Sequence, residues 1–436
     1  MQVEYLARVS LPDEGWDVNM LEEACWKAGR EASQGLFLLA LGQRDGEVAA
    51  SVEGENKGKV RRYLVTRFGI VAFRREKVSQ GNGKGSYPLD RAIGVKPRQE
   101  STLWVKKRAC ELAKDYTYRP AAALLSAEIG DEVSHGAIWG WVQKSGRALR
   151  QEEDQRWKAV FEDGEVFEGE GKEKEIVVTE MDATMLHSQE KERKKLTVKL
   201  GVMYSGKKLE SETAKYKRYR LTDKTLYGGI EETDEFGEKL YLKGEEKLAL
   251  SKARNLLVLG DGDPWIKNIA DSPYFMATYQ LDWRHLMVKI HQTFSDQPKL
   301  VSELIDYLYS GQDEKMLATV KLARLLCDEE DKRQKIADLV TYIENNRDGL
   351  YGSRSLRDKV EAKMVLVCST GAMEKNIETV IGRRFKKHGM SWTTKGANNL
   401  LKLRTLWYNK SDWDAFWSTQ SSQRVRFFPQ QINTTI

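Results

Sequence analysis

The spacing of apolar residues changes character several times along the chain, and each change marks an element or a boundary. MLEEACWKAGREASQGLFLLAL, near the start, repeats apolar positions at helical intervals and predicts an amphipathic helix within residues 1–56. A Gly/Glu-rich connector, SVEGENKGK, ends it. In RRYLVTRFGIVAFRREK, Tyr63, Val65, Val71 and Phe73 alternate with polar or basic residues around Phe68-Gly69. That period of two predicts a β-hairpin with its arginines on one face. GNGKGSYP reads as a loop, and Leu103, Val105, Ala109 and Leu112 predict a helix within residues 98–114.

In YRPAAALLSAEIGDEVSHGAIWGWVQKSGR, Pro120 opens a strong helix former, Ala121 to Ala127. Ile129 to Glu132 supply a turn, and Ser134 can cap a second helix whose apolar positions are Ile138, Trp141 and Val142. Two short helices behind a basic hairpin fit a helix-turn-helix, although an ordinary helical hairpin reads the same way. Trp139 and Trp141 are expected to supply core bulk. Residues 57–150 are therefore predicted to form a small α+β DNA-binding region, and 151–174 an acidic linker.

Beyond the linker the pattern alternates. EIVVTEMDAT, LTVKLGVMYS and KRYRLTDKTLYG predict three strands, DEFGEKLYLKGEEKLALSKAR a helix, LLVLGDG a fourth strand, DPWIKNIA a helix and YFMATYQLDW a fifth strand. This order is characteristic of the RNase H-like α/β fold, in which the first and fourth strands are neighbours and ligands bind at strand ends. Residues 175–285 are read as its first part. Helical spacing of Val301, Leu304, Ile305, Leu308, Ile336, Leu339, Val340 and Ile343 predicts an all-helical insertion over 286–365. Residues 366–417 are read as the last part of the core, and 418–436 as a flexible tail.

Composition narrows the class. With 436 residues, 40% hydrophobic and 31% charged, the chain reads as globular with two or three domains. It has no apolar run of the ~18 residues that a membrane helix needs, and its start lacks a secretory layout. Cys25, Cys110, Cys327 and Cys368 are scattered without a CxxC pair, which predicts a reducing compartment. A nucleotide-binding GxxxxGK[ST], an HExxH and a calcium-loop spacing are all missing. The net charge of +6 conceals an asymmetry. Lys57 to Lys77 holds eight basic residues and one acid, whereas Gln151 to Glu175 holds ten acids and four bases. The first segment suits a polyanion, and a solvated charged face is the plainer reading.

Asp182 lies within the first strand of the α/β region, and Asp261 ends the fourth, 79 positions later (261 − 182). If those strands are neighbours, the carboxylates converge and need a cation between them; hard oxygen ligands favour Mg²⁺. Glu374, opening the helix after the insertion, can complete a site able to hold two metals about 4 Å apart. The block Arg383-Arg384-Phe385-Lys386-Lys387, with Trp392 and Lys395, suits contacts to backbone and unpaired bases.

Together these residues resemble bacterial insertion-sequence transposases of the DDE type. The layout is nearest to the ISLre and ISKra groups, which are related to eukaryotic Mutator-like transposases. The likeness is carried by RFGIVAFRR, LAKDYTYRPAAALL with VSHGAIWGWVQ, MDAT, LGDGDPWIK, LDWRH and GAMEKNIETVIGRRFKKHGMSWTTKGANNLLKLR, which cover most of the chain in this order. The resemblance implies an RNase H-like catalytic domain with an all-helical insertion between the second and third acids. It places Asp182, Asp261 and Glu374 as the catalytic triad binding two Mg²⁺ ions, with Mn²⁺ as a substitute, and Asp282 and His285 as a supporting pair. Glu378, one helical turn on, is the rival for the third position; Glu374 matches the family's Gly-x-x-Glu spacing. Arg61, Arg62, Arg67, Arg74, Arg75, Ser134, His135, Arg383, Arg384, Lys386, Lys387, Trp392 and Lys395 become the expected DNA contacts. The implied chemistry is cleavage at an element's end followed by attack of the freed 3′-hydroxyl on target DNA. Double-stranded DNA, a second copy of the chain and a cytoplasmic, nucleoid-associated location in a prokaryote follow as expectations, with no membrane partner. A non-catalytic DNA-binding relative and a nuclease without strand transfer are the alternatives.

Overall fold

The computed structural model describes residues 2–79, 85–169, 171–213, 217–357, 359–360, 371–387 and 389–422. Cys368, part of the loop at 81–88, the end of the predicted insertion and most of the predicted tail lie outside these residues. In chain order the elements are α1 (Val18–Ala50), β1 (Glu55–Thr66), β2 (Gly69–Ser79), β3 (Gly85–Ser86), α2 (Pro88–Ala92), α3 (Leu103–Ala113), α4 (Tyr118–Ile129) and α5 (His135–Phe161). Next come β4 (Val177–Ser188), β5 (Lys195–Tyr204), β6 (Gly206–Glu212), β7 (Lys217–Thr222), β8 (Thr225–Gly229), α6 (Thr233–Leu248), β9 (Leu256–Gly260), α7 (Pro264–Ala270) and β10 (Thr278–Leu281). Then follow α8 (Trp283–Thr293), α9 (Pro298–Ser310), α10 (Asp313–Leu325), α11 (Glu330–Asn345), α12 (Gly352–Ser355), α13 (Gly371–Asn376), a π-helical turn (Ile377–Gly382), α14 (Arg383–Phe385), β11 (Ser391–Trp392), α15 (Thr394–Tyr408) and α16 (Ser411–Ser422). Contacts divide the chain into two units: residues up to Lys144 with those from Ser411 onward, and Ser145–Lys410.

The first unit is built on the hairpin β1–β2, whose antiparallel register sets Arg61 opposite Arg74 and Leu64 opposite Val71. Leu64, Val71 and Phe73 form a core with Leu41 of α1 and Leu89 of α2. The pleat therefore places Tyr63 and Val65 on the opposite face from Val71 and Phe73, and it divides the arginines between two faces, where one shared arginine face was expected. The hairpin turns at Gly69, φ +103°, where an added Cβ would lie 2.1 Å from Asp131 Oδ2. Asp131, in the turn between α4 and α5, accepts a hydrogen bond from the Ile70 N–H at 2.7 Å, so this turn is tied to the hairpin tip. α4 ends at Gly130 in the left-handed region, and the Ser134 hydroxyl accepts from Ala137 N at the start of α5. α16 packs on α3 in this unit with Trp413, Phe416 and Trp417 buried, so residues from Ser411 onward belong here, where the last part of the α/β core was expected to run to 417.

The second unit carries a sheet in the order β10-β9-β4-β5-β8, with β11 pairing the end of β4. β9 runs parallel to β4 and to β10, and β4–β5 and β5–β8 are antiparallel. β5, β8 and β9 are buried on both faces along most of their length, so they read as continuous apolar runs. The predicted third strand is in fact two. Its first half, β7, pairs with β6 as an outlying ribbon, and a break at Asp223 (φ +50°) separates it from β8, which enters the sheet. Apolar side chains of α9, α10 and α11 share one continuous core with β4, β9, β10 and α6.

The expected linker is also different. Residues 151–161 continue α5, where their charges find opposite partners in the same unit: Glu153 pairs with Lys402 at 2.9 Å, Asp154 with Lys239, and Arg156 with Glu246 at 2.8 Å. Gly146 lets α5 approach α15 closely, since a Cβ there would lie 2.2 Å from Asn399 O.

Candidate active site

Pairing of β4 with β9 is what brings the first two acids together. In the parallel register Glu180 of β4 is the partner of Leu259, so Asp182 and Asp261 both follow that pair by two residues. Asp282 follows β10, the next strand over, and caps α8: its Oδ1 accepts from Arg284 N at 2.9 Å and its Oδ2 meets His285 Nδ1 at 2.7 Å. The Asp282 N–H donates to Gly260 O at 2.8 Å, which joins the two strand ends. The middle of β4, where its pairing with β9 ends, the ends of β9 and β10 and the start of α8 thus place Asp182, Asp261, Asp263, Asp282 and His285 in one region.

Their electrostatics are mutually dependent. Burial, with Asp261 and Asp263 adding repulsion, pushes the Asp182 carboxyl up to about 6, against the Ala183 N–H and His285. Burial and Asp263 likewise raise Asp261. His285 is raised by its hydrogen bond to Asp282 and by the charges of Asp282, Asp261 and Asp182, while burial opposes. Neither Asp182 nor Asp261 is salt-bridged to a lysine or arginine among the described residues. Two half-buried, repelling carboxylates without a fixed cation are a donor set that fits a hard divalent ion.

Glu374 is close by but otherwise engaged. On α13, its Oε2 accepts from Arg284 Nη1 at 2.5 Å in a half-exposed ion pair. Arg284 is the residue before His285, so this pairing sets Glu374 beside α8 and commits its carboxylate elsewhere. Among the described residues no three His, Cys, Asp or Glu side chains are grouped closely enough to hold an ion. Glu378, exposed within the π-helical turn, faces Arg383 at 3.8 Å and Lys387 at 4.0 Å.

The loop after β9 is clamped by the helical insertion. The Tyr342 hydroxyl donates to Asp261 O at 2.5 Å, and Gly262 (φ +98°) leaves room for Tyr342 and Asn346, which a Cβ would approach to 2.7 and 3.0 Å. Gly262→Ala is expected to cost about 2 kcal/mol or more in unfolding free energy, from backbone strain plus this clash. Chemical denaturation measures it, and an unchanged stability would mean that the clamp is loose.

The expected DNA contacts divide into two groups. In the first unit Arg61, Arg67 and Arg74 are exposed; Arg61 stacks over Tyr63 at 4.8 Å and Arg67 over Trp104 at 5.0 Å. Arg62 and Arg75 turn inward and share the carboxylate of Asp90, at 2.6 and 2.8 Å, so neither is available to DNA as expected. Ser134 and His135 are exposed at the start of α5. So is Trp139, 53% exposed, where core packing was expected; Trp141 is buried. In the second unit Arg383, Lys386, Lys387 and Lys395 are exposed. Arg384 and Trp392 are interior, the guanidinium 5.3 Å over the indole and the indole N–H donating to Phe385 O at 3.0 Å, which removes both from the contact set. Arg61→Ala or Arg74→Ala is expected to weaken binding to any duplex and to reduce the salt slope by about 1. Arg62→Ala is expected instead to cost about 2–3 kcal/mol of stability. Salt-dependent binding curves beside urea melts separate the two.

Residues 13–420 match the uncharacterised protein family UPF0236. The chain belongs to the UPF0236 family. It is 24% identical over 358 residues, 79% of this chain and 72% of the relative, to the UPF0236 protein in the vanSb 3′ region of Streptococcus gallolyticus. It is 22% identical over 398 residues, 91% of this chain and 78% of the relative, to a UPF0236 protein of Caldanaerobacter subterraneus subsp. tengcongensis whose name joins eleven locus designations. The family match thus takes in both units and every candidate site residue. No helix among the described residues is long and apolar enough to cross a membrane.

Reading the sequence missed Glu180, Arg284 and Tyr342. Glu180 had a signal, since residues two apart in a strand share a face and Asp182 had already been singled out. Arg284 and Tyr342 act through contacts across 90 and 81 positions, which no local pattern announces.

Proposed function

We propose that this UPF0236 protein is a DDE-type transposase that cleaves DNA at the ends of its element and joins them to target DNA. The observation that carries the reading is the parallel neighbourhood of β4 and β9, which sets Asp182 and Asp261 two residues past one paired position. The strand order β8-β5-β4-β9-β10, with only helical elements among the described residues between β10 and α13, supports an RNase H-like core. The eleven loci joined in one relative's name support a family that multiplies within a genome.

Asp182, Asp261 and Glu374 would hold the divalent cations, Mg²⁺ or Mn²⁺, whose chemistry is charge neutralisation at the phosphate during in-line displacement. The protein's own part is to bring two carboxylates together where the pairing of β4 with β9 ends, and to hold His285 by Asp282, so that its imidazole favours the protonated form near a phosphate. Arg284 stands where a DNA phosphate can compete for it and release Glu374. Exposed Arg61, Arg67 and Arg74, with His135 and Trp139 on α5, would bind duplex ends, and Arg383, Lys386, Lys387 and Lys395 DNA near the cut. Pairing of two ends calls for at least two copies of the chain.

The test is incubation of purified protein and Mn²⁺ with a plasmid carrying the element's own flanks. Nicked ends and joined products, both lost in Asp182→Asn, support the reading. Nicking without joining favours a nuclease. Tight DNA binding without Mn²⁺ uptake favours a non-catalytic relative, a second reading prompted by the engagement of Glu374 with Arg284.

A further inference from the structure

We infer that Glu180, a buried carboxylate outside the triad, is the positioning residue that seats the third acid against the first. It rests on the metal-site reading above and extends it. Glu180 is 1% exposed, on β4, two residues before Asp182 and on the same face of the strand. Its Oε1 accepts from the Tyr204 hydroxyl on β5 at 2.8 Å, and its Oε2 accepts from the N–H of Met373 at 3.0 Å. Met373 immediately precedes Glu374. One carboxylate therefore spans from the strand of the first acid to the backbone next to the third, across 193 positions of sequence.

The anchorage continues along α13. Lys224 Nζ donates to Asn376 Oδ1 at 2.6 Å, and Asn376 Nδ2 donates back to Ala372 O at 2.7 Å. α13 is thus pinned to the sheet near its start by Glu180 and at its end by Lys224, which leaves the exposed side chain of Glu374 as its adjustable part. α13 runs on without a break into the π-helical turn and α14, whose Val380, Ile381 and Phe385 are buried, so these two bonds set the first turns, which carry Glu374, rather than the whole helical stretch. Glu180 touches no reacting group itself; its Oε2 is consumed by the Met373 amide. The double variant with Glu374→Gln separates an effect that runs through Glu374 from one that runs through Asp182 or Asp282, the other acids near Glu180.

The experiment compares full-length wild type, Glu180→Met, Glu180→Gln, Glu374→Gln and the Glu180→Met/Glu374→Gln double variant. Methionine fills the volume without an acceptor; glutamine keeps an oxygen for Met373 N. Hydrogen exchange of peptides covering residues 371–382 reads the anchor, and Mn²⁺ titration followed by electron paramagnetic resonance reads the site. Glu180→Met should exchange faster in that segment and bind Mn²⁺ about 10- to 100-fold more weakly, the range seen when groups orienting metal ligands are removed. Glu180→Gln should stay within a few-fold of wild type, and the double variant should be little worse than Glu374→Gln. Unchanged exchange in Glu180→Met, unchanged Mn²⁺ affinity, or losses that simply add in the double variant would each overturn the inference. If Asp182→Asn loses Mn²⁺ while Glu180→Met does not, only the positioning role falls. Failure of the wild type to take up Mn²⁺ rejects the metal-site reading and this role together.

Discussion

Asparagine at Asp182 or at Asp261 is expected to lower DNA cleavage by about a thousandfold or more, about 4 kcal/mol of transition-state stabilisation. Affinity for duplex ends should change by no more than a few-fold. The reason lies in placement. Asp182 and Asp261 come from neighbouring strands, repel each other's ionisation and have burial rather than a lysine or arginine around them. Asn keeps the shape and the Ala183 N–H bond but removes the anionic oxygen that a cation requires. The residues expected to hold DNA lie elsewhere in the sequence, on the hairpin, on α5 and after the π-helical turn. Cleavage assays beside fluorescence-anisotropy binding check both halves, and full activity in either variant would sink the triad.

The second large effect concerns stability. Lys402→Met is expected to cost about 3–5 kcal/mol near pH 7, the range for stripping one partner from a buried ion pair. The Lys402 side chain is 1% exposed; its ammonium lies 2.9 Å from Glu153, 3.2 Å from Glu231 and 3.8 Å from the Tyr227 ring centre. Burial works against ionisation of Glu231, and Lys402 followed by Lys239 outweighs it, holding that carboxyl below its usual range. The sign follows. A depressed carboxylate contributes stability above its unfolded pKa, and that contribution is lost as pH falls through the folded value. In Lys402→Met both Glu231 and Glu153, whose burial already holds its carboxyl above the usual range, are stranded and bind protons more readily, so the gap between wild type and variant should narrow as pH falls from 7 to 4. Urea unfolding at pH 7 and pH 4 measures it. A gap that stays constant with pH would show that lost packing, rather than the stranded carboxylate, is responsible. This lysine holds the second half of α5 to α15 and the strand end at Glu231, so the loss should be felt throughout the second unit.

Much of the candidate site was legible because its acids sit in local patterns. MDAT at the end of a β-rich run, LGDGDPW at a strand exit and the Asp282–His285 spacing at a helix start each have a periodicity or a cap that names their element. Arg62 and Arg61 show where legibility stops. They are adjacent and chemically identical, yet the pleat sends one to Asp90 and the other to solvent, and only the register against β2 decides which. Arg384 beside Arg383, and Trp139 near Trp141, divide in the same way on helices. Glu374 is a candidate from its place at the start of the helix after the insertion and from the resemblance; its ion pair with Arg284 was not legible, because that bond closes across 90 positions.

The amino-acid sequence by itself determined the kinds of element, the order in which they occur and the acids at their ends. These follow from side-chain periodicity, turn residues and capping, all of which act within a few residues. Tertiary structure decided where the acidic stretch goes, which made its first part, as far as Phe161, a continuation of α5 held by Lys402 and Lys239. It also decided which arginines are interior, that the third strand is two, and that Glu180 joins the strand of one acid to the helix of another. Those outcomes depend on burial and on charge pairing between segments far apart, where the free energy of a residue is set by neighbours that the local sequence does not contain.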